Sequence, residues 1–102
     1  MSLDIQTKKE GTTQTVVLKG RLDTTTAPEL DEKLDRLYDD MTDLIIDVKD
    51  MDYVSSAGLR VILKAQKTMN KKGSMKFVGV QDSVMEIFEI TGFLDFLTIE
   101  KL

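Results

Sequence analysis

The centre of the chain has the strongest hydrophobic pattern, a continuous apolar run followed by a helical repeat. Four of the five residues in 44–48 are apolar, which predicts a strand that is buried on both faces. The positions over 57–72 repeat at helix spacing and predict an amphipathic helix. The apolar face of this helix carries Leu59, Ile62 and Met69, with Ala57, Val61 and Ala65 alongside.

Ser55 and Ser56 lie where this strand leads into this helix. The first backbone amides of a helix have no partner within the helix, and a serine hydroxyl at that place accepts a hydrogen bond from one of them. The simpler interpretation of the pair is that one serine caps the helix. The alternative is that one hydroxyl is a contact or modification site, held at the positive end of the helix dipole.

Alternating apolar and polar positions predict further strands on both sides of the centre. The first two strands form a hairpin around Glu10-Gly11, because glycine tolerates the positive φ of such a turn. Gly20 falls on the inward phase of the second strand, so we expect a bulge or a close backbone approach there. Together with the central strand, the predicted strands are 3–9, 15–22, 44–48, 75–80 and 94–99.

Two further helices are predicted, and each begins at a sequence typical of a capping box. The boxes are 26–29, which opens a helix over 27–40, and 83–86, which opens a shorter one. Glycine is expected to end two helices, with Gly73 after the central helix and Gly92 after the last one.

The order of elements, β-β-α-β-α-β-α-β, predicts one α/β domain over residues 1–102, a mixed sheet of four to five strands with helices packed on it. A content of 41% hydrophobic and 31% charged residues is ordinary for a globular protein. No apolar stretch approaches the roughly 20 residues that span a bilayer, so we expect a cytoplasmic protein without a membrane span. The net charge of −4 disfavours nucleic acid as a partner.

The chain contains no histidine and no cysteine. Histidine is the usual general base and a common metal ligand, and a serine nucleophile needs such a base. The sequence also lacks a Gly-x-Ser-x-Gly turn and a glycine-rich phosphate loop. We therefore expect no enzymatic activity, no cofactor and no metal site.

An acidic group, Asp47, Asp50 and Asp52, lies at the end of the predicted central strand. Ligand sites in α/β sheets lie at the carboxyl ends of strands, so a Mg²⁺ site or a phosphate-accepting aspartate, as in receiver domains, is an alternative. A receiver domain also needs an acidic pair after its first strand, whereas residues 8–10 here are Lys-Lys-Glu. Solvated loop acids are the simpler interpretation.

Charge is distributed unevenly over the predicted helices. Helix 27–40 carries an acidic outer face, which we interpret as solvated. The central helix carries a one-sided basic stripe, interpreted either as solvated surface or as a face that steers an acidic partner. The stripe consists of Arg60, Lys64, Lys67 and Lys71.

Three short motifs are distributed along the chain between residues 20 and 93. The first is Asp-Tyr-Val-Ser-Ser-Ala-Gly-Leu at 52–59, the second is Gly-Arg-Leu-Asp at 20–23 with Thr26, Ala27 and Leu30, and the third is Ile-Thr-Gly-Phe at 90–93. In this combination the chain resembles STAS domains of the anti-sigma factor antagonist type. Their serine signature reads Asp-Ser-Ser/Thr/Ala-Gly-Leu-Gly after an aromatic or apolar pair.

The resemblance implies a switch between two binding states. Ser56 matches the serine that a partner kinase phosphorylates. Unmodified protein would bind an anti-sigma factor, typically an ATP-dependent serine kinase, and so free a sigma factor; phosphorylation would reverse this, and a cognate phosphatase would reset it. The implied partner-binding residues are Asp23, Thr25, Ser55, Ser56, Ala57, Gly58, Leu59 and Arg60.

The chain departs from the family pattern at two positions. Ser55 stands where aspartate is usual, which makes Ser55 a rival phosphate acceptor to Ser56. Arg60 stands where glycine is frequent, which alters the docking surface. The resemblance also leaves other STAS roles open, as a regulatory part of a stress-signalling complex or of an anion or lipid transport assembly.

Overall fold

Five strands and three helices make up residues 3–100, the part of the chain that the computed structural model describes. The strands are β1 (Leu3–Glu10), β2 (Thr13–Leu22), β3 (Asp43–Val54), β4 (Ser74–Val78) and β5 (Ile99–Glu100). The helices are α1 (Ala27–Leu37), α2 (Ser56–Asn70) and α3 (Asp82–Ile90). Short 3-10 turns, Tyr38–Asp40 and Phe93–Asp95, follow α1 and α3.

The strands form one mixed sheet in the order β1-β2-β3-β4-β5. β1 and β2 are an antiparallel hairpin, and the remaining neighbours are parallel. Each parallel pair is joined through a helix, since a strand can reach a parallel neighbour only by a crossover connection. The predicted α/β class, mixed sheet and order of elements are confirmed.

Successive residues of β2 and β3 alternate between a fully buried face, the sealed face, and a second face that is only half-buried. Ile45 and Asp47, on the second face of β3, are only half-buried. The prediction that the central strand is buried on both faces is therefore wrong for one face, and its burial follows the two-residue period of a strand covered on one side. The sealed positions of the two strands include Val16, Leu18, Leu22, Leu44, Ile46 and Val48.

The helices place their apolar residues in this core. Leu34 of α1 and Ile62 of α2 are buried, as the periodicity predicts. α2 is two residues shorter than predicted at its end, because residues 71–72 form a turn. None of the helices within residues 3–100 is long and apolar enough to cross a membrane.

β2 is irregular at the predicted place. Its register against β3 shifts twice near Gly20, which has a φ of 112°. Glycine adopts such a φ readily because it has no Cβ. The shifts bring Arg21 opposite Tyr53 and Leu22 opposite Val54, so they determine which side chains meet where the two strands end.

Neither predicted capping box forms within residues 3–100. Thr26 and Gln81 precede α1 and α3, and neither side chain caps its helix. Thr26 bonds within the preceding turn instead, because its hydroxyl donates to the carbonyl oxygen of Arg21 at 2.8 Å. α3 begins one residue before the predicted cap Ser83, whose hydroxyl lies 3.3 Å from the carbonyl oxygen of Asp52.

Of the two glycines predicted to end helices, Gly92 does so, whereas α2 already ends at Asn70, before Gly73. Gly92 follows α3 with a φ of 79°, as predicted. The backbone of Gly73 lies outside the left-handed region, and a Cβ there would overlap the carbonyl oxygen of Thr42. Gly73 is therefore required by a close approach between two chain segments. The last strand, predicted over 94–99, is confined to Ile99–Glu100 because a 3-10 turn occupies 93–95.

Candidate functional site

The site lies where β2 and β3 end side by side. Leu22 and Val54 are register partners, and the amide of Ser55 donates to the carbonyl oxygen of Leu22 at 2.8 Å. The turn after β2 and the start of α2 therefore leave the sheet next to each other, as expected of parallel strands whose carboxyl ends share one edge. This arrangement brings Asp23 close to Ser55 and Ser56.

The two serines occupy different positions at the start of α2. Ser55 is the N-cap residue, and its Oγ accepts a hydrogen bond from the amide of Gly58 at 3.3 Å. Ser56 is the first residue of the helix and is exposed, whereas Ser55 is half-buried. The prediction that one serine caps the helix is confirmed. Ser56 remains as the accessible hydroxyl at the positive end of the helix.

Two residues of the predicted contact set face inward. Leu59 is only 7% exposed, and Gly58 is buried against the strand ends. A Cβ on Gly58 would lie 2.7 Å from Cγ of Leu22 and 2.9 Å from Cγ2 of Val54. These two residues hold the start of α2 in place and do not themselves form surface. The exposed members of the set are Thr25, Ser56 and Arg60, with Asp23, Ser55 and Ala57 half-buried.

Asp23 organises the turn between β2 and α1. Its Oδ1 accepts hydrogen bonds from the hydroxyl of Thr25 at 2.8 Å, the amide of Thr25 at 3.0 Å and the amide of Thr26 at 3.1 Å. These bonds, the one from the Thr25 hydroxyl foremost, hold the pKa of Asp23 below its ordinary value. Asp23 is therefore charged at neutral pH, and its charge fixes the shape of the turn.

Arg21 and Tyr53 complete the site, and the sequence did not single them out. The guanidinium carbon of Arg21 lies 4.1 Å from the centroid of the Tyr53 ring, and its Nε lies 4.0 Å from Oδ2 of Asp23. The ring and the carboxylate together hold a cation where the two strands end, close in the chain to the turn that contains Ser55 and Ser56 (the serine turn). Both residues belong to the motifs at 20–23 and 52–59, and each directly precedes the end of a strand. That shared position is the signal that could have identified them.

The basic stripe of α2 is divided by an ion pair. Nζ of Lys64 lies 2.9 Å from Oδ1 of Asp31 and 3.2 Å from Oδ1 of Asp35, and these contacts raise the pKa of Lys64. Lys64 therefore connects α2 to α1, and neither interpretation of the stripe, solvated or steering, fits this residue. The acidic face of α1 is likewise not simply solvated. The exposed cations that remain in the stripe are Arg60 and Lys67 of α2 and Lys71 in the turn that follows it.

The three central acids lie on β3, because this strand continues to Val54. The interpretation of Asp47, Asp50 and Asp52 as loop residues is therefore wrong. Oδ1 of Asp47 accepts a hydrogen bond from the amide of Lys49 at 3.1 Å. Within residues 3–100, no group of three or more acidic side chains is arranged so that it could hold a metal ion.

Comparison with known proteins agrees with this geometry. The STAS-domain family model matches residues 4–101. The anti-sigma-B factor antagonist of Bacillus subtilis is 33% identical over 100 residues, which cover 97% of this chain and 92% of that protein. The counterpart from Staphylococcus aureus is 31% identical over 103 residues, which cover 99% of this chain and 95% of that protein.

The fold is also that of a solved anti-sigma factor antagonist. The structure of SpoIIAA in its unphosphorylated form superposes with a TM-score of 0.82 at 16% identity, covering 95% of this chain and 88% of that one. At this identity the similarity concerns the fold alone.

Proposed function

This chain belongs to the STAS-domain family and to its anti-sigma factor antagonists, and on that basis we propose that it is a phosphorylation-switched binding module. In its unmodified form it holds an anti-sigma factor that is also a serine kinase, and so frees a sigma factor for transcription in the cytoplasm. Phosphate on Ser56 releases that partner. The observation that carries the proposal is the exposed hydroxyl of Ser56 at the start of α2, beside the turn organised by Asp23.

Ser56 is a better phosphate acceptor than its rival Ser55. A kinase must bring the acceptor hydroxyl into its own active site, and Ser56 is exposed while Ser55 is half-buried. The Oγ of Ser55 also accepts the capping bond from Gly58, and loss of such a cap costs about 1 kcal/mol. Modification of Ser56 removes no such bond from the helix.

A phosphate on Ser56 suits the fold and opposes binding. It adds about −1.5 to −2 charges at neutral pH. The first turn of α2 contains no acidic residue, and its free amides and dipole favour an anion. A partner surface built for a neutral hydroxyl must instead desolvate this charge, and a few kcal/mol lowers affinity more than tenfold. The modified protein therefore stays folded while its partner leaves.

The partner surface surrounds Ser56 with groups of both signs. Asp23 and Thr25 lie on one side, and Arg60 lies one helical turn beyond the serine. Arg21 and Tyr53 lie where the same two strands end, and we propose that they contact the partner as well. Arginine and tyrosine are among the residue types that most often dominate binding energy in protein interfaces. The cation of Arg21 is already positioned by the Tyr53 ring, so little side-chain freedom is lost when a carboxylate of the partner binds it.

Partner capture from native lysate tests this function. Wild-type protein and the control Lys33→Glu, a charge change at an exposed position of α1, should both capture an ATP-dependent serine kinase, and Ser56→Asp should not. The captured kinase with ATP should place phosphate on Ser56, read by mass spectrometry. Ser56→Asp should unfold at nearly the wild-type temperature, because the charge is placed at a helix N-terminus. Phosphate on Ser55 alone, or equal capture by wild type and Ser56→Asp, would refute the proposal.

A further inference from the structure

A groove of about 430 Å³ lies between the second half of α2 and the turn that follows α3. Phe96 stands at this groove with 62% of its surface exposed, and its ring meets the ring of Phe93 edge-on at 6.4 Å between centroids. An exposed aromatic side chain in a concave, largely apolar site is typical of an interaction surface. The groove is lined by Leu63, Gln66, Lys67, Asn70, Phe93 and Phe96.

The groove contains a polar group without a partner. Gln66 is only 7% exposed, and its Nε2 donates to Oδ1 of Asn70 at 2.8 Å. Its Oε1 has no hydrogen-bond partner among the residues of 3–100. A buried carbonyl oxygen left in this way is unfavourable, because no hydrogen bond offsets its loss of contact with water. An incoming chain that supplies an N–H or O–H donor as Gln66 adjusts would relieve this cost.

The charged side chain in the groove wall is a cation, Lys67, although the whole chain has a net charge of −4; the exposed Asp95 belongs to the adjoining turn but does not line the groove. α2 contains no aspartate or glutamate over Ser56–Asn70, and Lys67 forms part of the groove wall. Lys64 is neutralised by the two carboxylates of α1, whereas Lys67 and Arg60 are exposed on the same helix. A segment that carries carboxylates beside an apolar side chain complements both features of this surface.

The groove is aligned with Ser56 along α2. Leu63 and Lys67 follow Ser56 by seven and eleven residues, which places them on the same helix face, about 10 and 16 Å along the axis. An interface of ordinary size covers about 800 Å² of each partner, enough to include both places. We propose that the groove is a second contact for the partner that recognises Ser56, and that it takes an apolar side chain from an acidic segment of that partner. This assignment rests on the proposed function.

The affinity of the purified, Ser56-dependent kinase for four variants tests the groove. Phe96→Ser should weaken binding about tenfold or more, because it removes an apolar anchor from the contact. Lys67→Glu should also weaken binding, by an amount that shrinks as salt rises. Two controls should bind within about twofold of wild type: Ile90→Ser, which is 76% exposed outside the groove, and Lys33→Glu, which makes the same charge change on α1.

The outcomes separate the groove from the switch. If Ser56→Asp abolishes binding while Phe96→Ser and Lys67→Glu bind like wild type, the groove assignment is wrong and the switch stands. If no partner distinguishes wild type from Ser56→Asp, both are wrong. Self-association of wild type in sedimentation, absent in Phe96→Ser, would assign the groove to a second copy of this chain and overturn the partner assignment. Lys67→Glu alters an exposed side chain and should fold normally, so it still tests the groove if Phe96→Ser folds poorly.

Discussion

Gly58→Ala is the change that tests how the serine turn is held in place. Gly58 is the third residue of α2 and lies against the ends of β2 and β3. An alanine Cβ would lie 2.7 Å from Cγ and 3.0 Å from Cδ2 of Leu22, and 2.9 Å from Cγ2 of Val54. Carbon atoms pack best at about 3.5–4.0 Å, so either α2 or the two side chains must move by roughly 1 Å.

Two opposing effects determine the stability of this variant. Alanine is favoured over glycine within a helix by about 0.8–1 kcal/mol. Overpacking of a filled site costs about 1–3 kcal/mol. Leu22 and Val54 are themselves buried in the core, so the room for adjustment is small. We expect overpacking to exceed the helix preference and the variant to lose about 1 kcal/mol of unfolding free energy.

Urea unfolding followed by circular dichroism measures this loss directly. For an m-value of about 1–2 kcal/mol/M, a loss of 1 kcal/mol lowers the midpoint by about 0.5–1 M. Ser56→Ala is the matched control, since it changes an exposed side chain at the same helix start and should barely move the midpoint. Phosphorylation of Gly58→Ala by the cognate kinase should also slow, because Ser56 moves with the helix.

A double substitution separates steric strain from other causes. Leu22→Ala removes the two Leu22 atoms nearest to the added methyl group. In that background Gly58→Ala should be neutral or stabilising, which gives a coupling of about 1 kcal/mol or more between the two positions. If the two costs simply add, or if Gly58→Ala stabilises the wild type, then the methyl group is accommodated without strain and this contact does not position the serine turn.

Three titratable side chains should reveal their contacts through the pH dependence of unfolding. The hydroxyl of Tyr38 is buried without a hydrogen-bond partner among residues 3–100, and burial raises its pKa. Tyr38→Phe should therefore add about 1 kcal/mol to the unfolding free energy at pH 7. The stability of the wild type, but not that of the variant, should fall as the pH rises above about 10. The pKa of Asp23 is lowered, so its stabilising effect exists above about pH 4 and is lost as the pH falls through that lowered pKa. The difference in unfolding free energy between wild type and Asp23→Asn should therefore shrink at acidic pH. The pKa of Lys64 is raised by its hydrogen bonds to α1, so its stabilising effect exists below about pH 10 and is lost as the pH rises through the raised pKa. The difference in unfolding free energy between wild type and Lys64→Gln should therefore shrink at strongly alkaline pH. A difference that stays constant with pH would contradict the contact assigned to that residue.

The features that the sequence predicts correctly depend on neighbours within one element. The continuous apolar run locates the central strand, although the predicted burial of both its faces is wrong, and the apolar period locates α2, because burial repeats every 3.6 residues in a helix. Gly20 and Gly92 were correctly placed because a positive φ is a local requirement that glycine meets. The capping serine was predicted for the same reason, since an N-cap acts on the first turn of its own helix.

The features that the sequence misses depend on contacts between distant segments. Lys64 looks like a free cation in its own helix, because its partners on α1 lie about thirty residues earlier. The cation held where two strands end depends on the register between those strands, which a bulge resets. The capping boxes fail similarly, since Thr26 and Ser83 bond to strand carbonyls outside their helices. A local sequence pattern contains no information about such distant partners, so these features of the site depend on the three-dimensional fold.

Ser55 stands where aspartate is usual in the family, and it is the N-cap residue of α2. Serine and aspartate are both among the best N-cap residues, so the exchange keeps the bond to the amide of Gly58 that the start of α2 requires. What changes is one negative charge directly before Ser56. A phosphate on Ser56 beside a neutral residue meets less like-charge repulsion than one beside a carboxylate, and the free amides of the first turn remain available to it. Ser55 therefore preserves the fold of the turn, and under the proposed function we expect it to stabilise the phosphorylated state of Ser56.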